Sequence, residues 1–304
     1  MDFIVFLLKS NRLFIEVFTK KCIFCLVSYM LARNLLYIRV QAKFAGEAGR
    51  VINKEVNMAK NDILVVSAHA ADYCTRAGGT LAKFIKEGYN VHVICLTCGA
   101  RGESGDYWKN NPNGTVEDCS AIRMRESRAA AEALGIKSIE FLGLNDYPLT
   151  ITEETQRYVT KRYLEIRPEI VFTHWLNDPT NPDHALAAEM VIRVTNCGSQ
   201  LGSFPNTPAQ HYPNLYFFES TVPIAELNGF APDYYVDIAE TYETKMAAIA
   251  KFECQPQLAG FYIHFAKHRA FQAKIWSKMD IQYAEGFKRF TPYVGKMLPI
   301  SEIN

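Results

Sequence analysis

The stretch ILVVSAHAAD, residues 63–72, decides how the rest of this chain is interpreted. Its first residues are apolar or small and include two adjacent valines, which is typical of a short buried strand. A Gly-Gly pair follows at 78–79, and we expect it to open a helix, so that His69 and Asp72 lie in the turn where the strand ends. In an open parallel α/β sheet, ligands bind at this carboxyl edge of the strands.

His69 and Asp72 can both point at one cation, since imidazole supplies a nitrogen ligand and the carboxylate a hard oxygen. His184 is the third candidate ligand, because it also follows an apolar strand and begins a helical stretch. His, Asp and His with an open fourth position is the arrangement of a catalytic rather than a structural zinc. The alternative is that His69 is a hydrogen-bonded turn residue and Asp72 a helix cap.

Composition excludes several classes of partner. The chain has 304 residues, enough for one sizeable core, as one large domain or two small ones. Lys and Arg total 33 against 32 for Asp and Glu, so the net charge of the chain gives no overall electrostatic attraction for nucleic acid or an anionic membrane.

The eight cysteines are scattered and no secretory signal accompanies them, which favours reduced thiols in the cytoplasm. We interpret the Cys-x-x-Cys spacings at 22–25 and 95–98 as accidental.

The N-terminal segment, residues 1–57, is apolar but interrupted by charges. Its longest uncharged run, Cys22 to Ala32, has 11 residues, well short of a membrane span. The charges also argue against a signal peptide. It is therefore either an interfacial amphipathic helix or upstream sequence outside the working protein. We favour the second, since Met58 directly precedes the first core strand, and we expect a poorly structured extension followed by a catalytic domain at 58–304.

Alternating strands and helices follow Met58, which predicts a doubly wound α/β sheet. The further predicted strands are 90–97, 138–142, 168–174, 214–219 and 234–238. The predicted helices are 80–87, 119–134, 153–166, 242–252 and 261–279. Between the second strand and the next helix, the Gly-rich loop at 98–105 brings Arg101 and Glu103 to the same sheet edge, unless it is an ordinary solvated turn. Residues 106–116 are polar and predict a surface excursion.

Several motifs combine in one pattern. They are VVSAHAAD at 65–72 with Gly-Gly-Thr at 78–80, Leu-Thr-x-Gly at 96–99, Arg123 and Glu126 before Leu-Gly, and Pro-Asp-His at 182–184. Together they resemble the LmbE-like (PIG-L-type) zinc deacetylase family, over residues 61 to about 285. The resemblance implies a Rossmann-like fold with a mostly parallel sheet, and Zn²⁺ held by His69, Asp72 and His184.

The deacetylases of this family typically have His-Pro-Asp-Asp, in which the first Asp is the general base. Here that position is Ala71, and losing a positioned base costs about 10²- to 10⁴-fold in rate. The chain is more similar to the 4-oxalomesaconate hydratase branch, which has the same gap, in its Arg-Gly-Glu-Ser run at 101–104 and its Tyr-Ala-Glu-Gly run at 283–286. Those enzymes add water to a carbon–carbon double bond conjugated to a keto acid. The resemblance implies that Glu103 is the replacement base, with Asp183 as a second catalytic candidate.

A substrate with several carboxylates needs cationic partners, and arginine binds carboxylates in a bidentate manner. The candidates are Arg76, Arg101, Arg123 and Arg269. Ion pairing within the protein is the alternative for each, and for Arg123 the partner would be Glu126, three residues on. Thr221 stands where the hydratases have a proton-transferring His, so we assign it to substrate binding; His174 or His211 could take over proton transfer.

The leading hypothesis is a cytoplasmic, zinc-dependent hydratase of a small unsaturated keto polycarboxylate, 4-oxalomesaconate or a relative in aromatic-acid catabolism. It predicts no nucleic-acid and no membrane partner. The second hypothesis is an N-acetyl deacetylase that recruits Glu103 as its base, and the third is a metal-binding protein without turnover. The sequence leaves open whether manganese or iron replaces zinc, and whether the chain forms a homo-oligomer.

Overall fold

The computed structural model describes residues 3–9, 12–18, 61–221 and 228–299. The chain divides into two units, Met1–Ala59 and Lys60–Asn304. In the first unit, strands β1 (Phe3–Lys9) and β2 (Arg12–Phe18) pair antiparallel. Most of the predicted N-terminal extension lies outside the described residues, and its separation from the working protein stays a prediction. Among the described helices, none combines the length and the apolar character needed to cross a membrane.

The second unit is built on a seven-stranded sheet. Its strands are β3 (Asp62–Ser67), β4 (Asn90–Thr97), β5 (Ser138–Leu144), β6 (Ile170–His174), β7 (Asn214–Phe218), β8 (Tyr234–Asp237) and β9 (Ala284–Arg289). Their order across the sheet is β5-β4-β3-β6-β7-β9-β8. The first five strands in this order pair parallel, whereas β9 is antiparallel to both β7 and β8. The predicted mostly parallel α/β sheet is confirmed.

Helices cover both faces of this sheet. They are α1 (Asp72–Lys86), α2 (Gly105–Asn110), α3 (Val116–Leu134), α4 (Glu153–Ile166), α5 (Pro182–Ser199), α6 (Tyr242–Ile249) and α7 (Leu258–Ser277). On β3, Ile63 and Val65 pack into one apolar cluster with α1, α3 and α6. Leu64 and Val66 pack into a second cluster with α4 and α5 on the opposite face. A strand buried on both faces is apolar at every position, which explains the continuous run in the sequence.

One local prediction about α1 is wrong. The helix begins at Asp72 rather than near Thr80, so Gly78 and Gly79 lie inside it. The reason is tertiary packing: a Cβ atom on Gly79 would lie 2.7 Å from the side chain of Ile238, which comes from a distant part of the chain. The pair therefore allows close packing inside the helix and does not open it. The segment after the Gly-rich loop, for which we predicted a polar surface excursion and no helix, contains α2.

Candidate metal centre

Four potential metal ligands converge at the carboxyl edge of the sheet. His69 follows β3, Asp72 begins α1, Glu103 lies on the loop after β4, and His184 lies in the first turn of α5. One ligand atom from each residue lies within 4.8 Å of all the others. The structure thus brings together the three predicted ligands and adds the predicted base to the same cluster.

The distances within the cluster identify the atoms that face its centre. His69 Nδ1 lies 3.3 Å from His184 Nε2, and Asp72 Oδ1 lies 3.6 Å from the same nitrogen. Glu103 Oε1 is 3.2 Å from His69 Nδ1 and 4.0 Å from His184 Nε2. The two imidazole nitrogens that point inward are therefore different ones, Nδ1 of His69 and Nε2 of His184.

The loop that carries Glu103 is held close to His69. Gly99 has φ +68°, and a Cβ atom there would lie 3.3 Å from the Cβ atoms of both Glu103 and His69, so glycine fits this position best. Asp146 Oδ2 anchors the next turn by accepting the backbone N–H groups of Arg101 at 2.8 Å and Gly102 at 2.7 Å. These contacts explain why the Gly-rich loop is an ordered part of the site.

Asp183 supports His69 from behind. Its Oδ2 lies 3.4 Å from His69 Nε2, and its two oxygens accept the backbone N–H groups of Tyr147 and Leu149 at 3.0 Å each. Burial alone would raise the pKa of Asp183, but these hydrogen bonds lower it below its ordinary value. Asp183 is thus a charged group that orients His69, because it faces the ring nitrogen that points away from the cluster.

Asp178, for which we predicted no role, supports His184 in the same way. Its Oδ2 lies 2.9 Å from His184 Nδ1 and accepts the backbone N–H of Thr221 at 2.6 Å. Burial opposes its charge, yet His184 and the Thr221 N–H lower the pKa of Asp178 well below its usual range. Each inward-facing imidazole therefore has a carboxylate on its other nitrogen, the arrangement that orients histidines on a metal.

The cluster suits a divalent cation by its chemistry. Burial alone would lower the pKa of His69, but Glu103, Asp183 and Asp72 raise it well above the ordinary histidine value. The surroundings therefore stabilise an added positive charge. Two imidazoles and two carboxylates are nitrogen and oxygen donors that zinc and other transition metals accept. We conclude that the residues present fit a bound metal ion.

Neither histidine considered for proton transfer is placed to perform it. His174 is fully buried; its Nε2 accepts the N–H of Ala68 at 2.9 Å and lies 3.3 Å from Asp72 Oδ2. Burial, together with nearby His184, lowers the pKa of His174 to about 3, so its ring is neutral. His211 precedes β7, at the amino edge of the sheet, opposite the cluster.

Two predicted substrate-binding residues lie beside the cluster. Arg76 donates from Nε to Asp72 Oδ1 at 3.4 Å, from Nη1 to the Glu219 carbonyl, and from Nη2 to Thr221 Oγ1 at 3.1 Å. Thr221 Oγ1 is also 3.1 Å from His184 Nδ1. Both side chains thus contact residues of the cluster, Arg76 contacting Asp72 and Thr221 contacting His184, and their contact with substrate stays a prediction.

The other three arginines have different surroundings. Arg123 is fully buried; it donates to Glu126, as anticipated, and to Gln255 at 2.7 Å, so the structure does not bring it to the cluster. Arg269 is buried and forms a two-pronged ion pair with Glu219. Arg101 is exposed, and within the described residues its side chain has no hydrogen-bond or ion-pair partner.

Known proteins that are similar to this chain indicate its family. The family model described as PIG-L: GlcNAc-PI de-N-acetylase matches residues 64–195. The 4-oxalmesaconate hydratase of Pseudomonas putida is 36% identical over 249 residues, which cover 81% of this chain and 95% of that protein. The chain belongs to the PIG-L family. The predicted family is thereby confirmed.

A solved structure and a second sequence relative extend the comparison. The crystal structure of GalB, the 4-carboxy-2-hydroxymuconate hydratase from P. putida, has a TM-score of 0.74 at 36% identity; the match covers 78% of this chain and 99% of that one. Among deacetylases, the diacetylchitobiose deacetylase of Thermococcus kodakarensis is 28% identical over 67% of this chain and 73% of its own length. These three matches are thus enzymes of two kinds, two hydratases and a deacetylase.

Proposed function

We propose that this chain is a zinc-dependent hydratase, which adds water to the carbon–carbon double bond of an unsaturated keto polycarboxylate such as 4-oxalomesaconate or a relative. The observation that carries the proposal is the placement of acid–base groups. Glu103 lies inside the ligand cluster, whereas the deacetylase base position holds the buried methyl group of Ala71. The similarity to a hydratase over most of the chain supports the same choice.

Zinc held by His69, Asp72 and His184 would supply a Lewis acid toward the keto or enol oxygen of the substrate. Asp183 and Asp178 keep the two imidazoles in the orientation that this requires. We also place the protein in the cytoplasm, in keeping with its cysteines: the six that the structure describes are all free thiols.

Glu103 carries the proton chemistry in this proposal. Its carboxylate takes one proton from water while the water oxygen bonds to the β-carbon of the conjugated system. The electron pair of the double bond moves toward the substrate carbonyl, and the Glu103 carboxyl then returns the proton to the α-carbon. The two hydrogens and the oxygen of one water thus end on the product, so no other reactant is needed.

Arg101 is our first choice for a substrate carboxylate, because its guanidinium is exposed two residues before Glu103. Arg76 would contribute mainly as a fixed positive charge beside Asp72. Arg269 is committed to Glu219 and Arg123 to the core, so we assign them to structure. We therefore expect the substrate to enter the site on the side of the loop that follows β4.

The test is a direct comparison of two reactions. Purified, zinc-loaded protein is offered 4-oxalomesaconate and, separately, N-acetylated amino sugars, while loss of the conjugated absorbance and release of acetate are measured. We expect hydration without acetate release. Acetate release without hydration would reverse the assignment in favour of the deacetylase.

Two variants sharpen this test. Glu103→Gln keeps the shape of the side chain but removes its basicity, so we expect hydration to fall by about 10²- to 10⁴-fold with the zinc content unchanged. Ala71→Asp restores the carboxylate of the deacetylases. If the chain were a disabled deacetylase, this change would create acetate release; we expect none.

A further inference from the structure

Asn181 is a buried residue at the start of α5, and its side chain does not cap that helix. It is the N-cap residue of α5, where asparagine normally accepts a backbone N–H of the first turn through its side-chain oxygen. Here the side chain makes no capping hydrogen bond. Instead, Nδ2 donates to Glu103 Oε1 at 3.2 Å.

The other end of the same amide has no partner. Asn181 is 2% exposed, and its Oδ1 is buried without a hydrogen bond to any residue that the structure describes. Exchanging the amide oxygen and nitrogen would not resolve this, because the oxygen would then face the Glu103 carboxylate and the NH₂ group would be left over. A buried acceptor without a partner is uncommon in folded proteins and calls for a specific explanation.

The position of the amide relative to the cluster gives that explanation. Glu103 Oε1, which Asn181 contacts, is also the oxygen 3.2 Å from His69 Nδ1. Oδ1 and Nδ2 belong to one planar amide group, so the unpaired acceptor lies close to the base whose oxygen Nδ2 holds. A buried water beside the base would satisfy this acceptor at an ordinary hydrogen-bond distance of about 2.8 Å.

We propose that Asn181 is a positioning residue for both the base and the water of the hydration step. The Nδ2–H group holds Glu103 Oε1, and Oδ1 accepts the O–H of water that does not pass its proton to Glu103. This inference rests on the proposed hydratase function and extends it to a further residue.

The role follows from the needs of the reaction. One O–H bond of water breaks and its proton goes to Glu103, while the oxygen bonds to the β-carbon and the double-bond electrons move toward the carbonyl. The second O–H bond stays intact and becomes the product hydroxyl. When both O–H groups are held, a lone pair of the water oxygen points toward the substrate carbon. Holding a reactant in the reacting orientation in this way lowers the barrier of the addition step.

Two substitutions separate this role from helix capping. Asn181→Ala removes the amide and any cap, whereas Asn181→Ser removes the amide but supplies a good N-cap oxygen. We expect both zinc-loaded variants to lose about 10²-fold in kcat, as when one preorganised polar group is removed, with KM within about threefold of the wild type. Zinc content should be unchanged, and the Ser variant should unfold at a higher temperature than the Ala variant.

Thr152→Ala is the matched control. Thr152 is the N-cap of α4, and its side chain does accept the N–H of Thr155, at 3.1 Å. This change should lower the unfolding temperature and leave kcat unaltered. The control shows what loss of a cap alone does in this fold.

Three kinetic results would overturn the inference. The first is a kcat within about threefold of the wild type in either Asn181 variant, and the second is a change in KM with no change in kcat. The third is a lower kcat in Asn181→Ala but a wild-type kcat in Asn181→Ser. A drop in zinc content would also count against it, since Asn181 would then be supporting the ligands.

Failure of the proposed function is recognised separately, because the wild type itself would then not hydrate. In that case the water-positioning role falls with the function. The contact itself is tested without turnover by a double-mutant cycle of Asn181→Ala and Glu103→Ala on the unfolding temperature and zinc affinity. Coupling between the two changes supports the contact, and simple additivity refutes it.

Discussion

Asp178 offers the sharpest test of the metal centre, because it touches a ligand and not the cluster itself. Asp178→Asn keeps the size of the side chain and removes its charge. In the native protein, one carboxylate oxygen serves both His184 Nδ1 at 2.9 Å and the Thr221 N–H at 2.6 Å. The amide oxygen can keep these two contacts only as neutral hydrogen bonds.

The magnitude follows from that loss of charge. A hydrogen bond to a charged group contributes about 1.5–3 kcal/mol and a neutral one about 1 kcal/mol, so the change costs about 1–2 kcal/mol. This corresponds to a factor of about 5 to 30. Changing a residue that orients a metal-bound histidine typically costs about 10- to 100-fold in metal affinity. The two estimates overlap, and we expect zinc to bind about 10- to 30-fold more weakly.

The assay is a titration of metal-free protein with Zn²⁺ against a chelator of known affinity, at one pH. Glu189→Gln, on the exposed face of the same helix α5, is the control, since its 3.9 Å contact with Arg193 is a surface pair of little energetic value. An Asp178→Asn affinity within about twofold of the wild type would refute the argument that this carboxylate orients His184.

Three further predictions concern stability. Gly79→Ala should lower the free energy of unfolding by about 1–3 kcal/mol in a denaturant titration, because its Cβ would lie 2.7 Å from Ile238. The control is Gly260→Ala, in a helix with open space around it, which should be neutral or stabilising. Equal effects of the two substitutions would contradict the packing argument. Removing metal with a chelator should lower the unfolding temperature and added Zn²⁺ should restore it, whereas an unchanged temperature would argue against a bound ion. Burial lowers the pKa of His92 below its ordinary value, although Asp62 opposes the shift. The unfolded chain therefore binds the His92 proton more tightly than the folded chain does, so the free energy of unfolding falls as the pH drops below about 6.5. In His92→Gln, this free energy should fall less steeply between about pH 7 and 5 than in the wild type. Identical slopes for the two proteins would refute this prediction.

The spacing of apolar residues along the sequence predicted the strands and helices that bury side chains at regular intervals. β4 and α4 have the predicted bounds, 90–97 and 153–166, because a mostly apolar run and a 3.6-residue period are both visible in the sequence. The bounds of α1 could not be predicted. Its Gly-Gly pair signals a helix start in isolation, and only the approach of Ile238 explains why it lies in the interior.

The convergence of His69, Asp72 and His184 could also be predicted, since the carboxyl ends of parallel strands meet at one edge whatever the details of packing. The groups behind them could not. Whether Asp178 or Asp183 faces a given imidazole depends on loop conformation, and the direction of the Asn181 amide depends on where Glu103 lies. Arginine positions were equally open, because charge alone does not distinguish Arg101 on the surface from Arg269 in its ion pair.

Glu285, on β9, accepts the backbone N–H groups of Gly79 and Thr80 in the middle of α1, at 3.0 and 2.8 Å, and pairs with Lys245 at 2.7 Å. A residue near the end of the chain thus fastens the helix that begins with Asp72. During synthesis, the ribosome makes this helix early and its fastening late. The edge of the sheet that carries the ligand cluster therefore reaches its final form only when β9 has been made and has joined the sheet, and a chain truncated before residue 284 would lose that fastening although it retains His69, Asp72, Glu103 and His184.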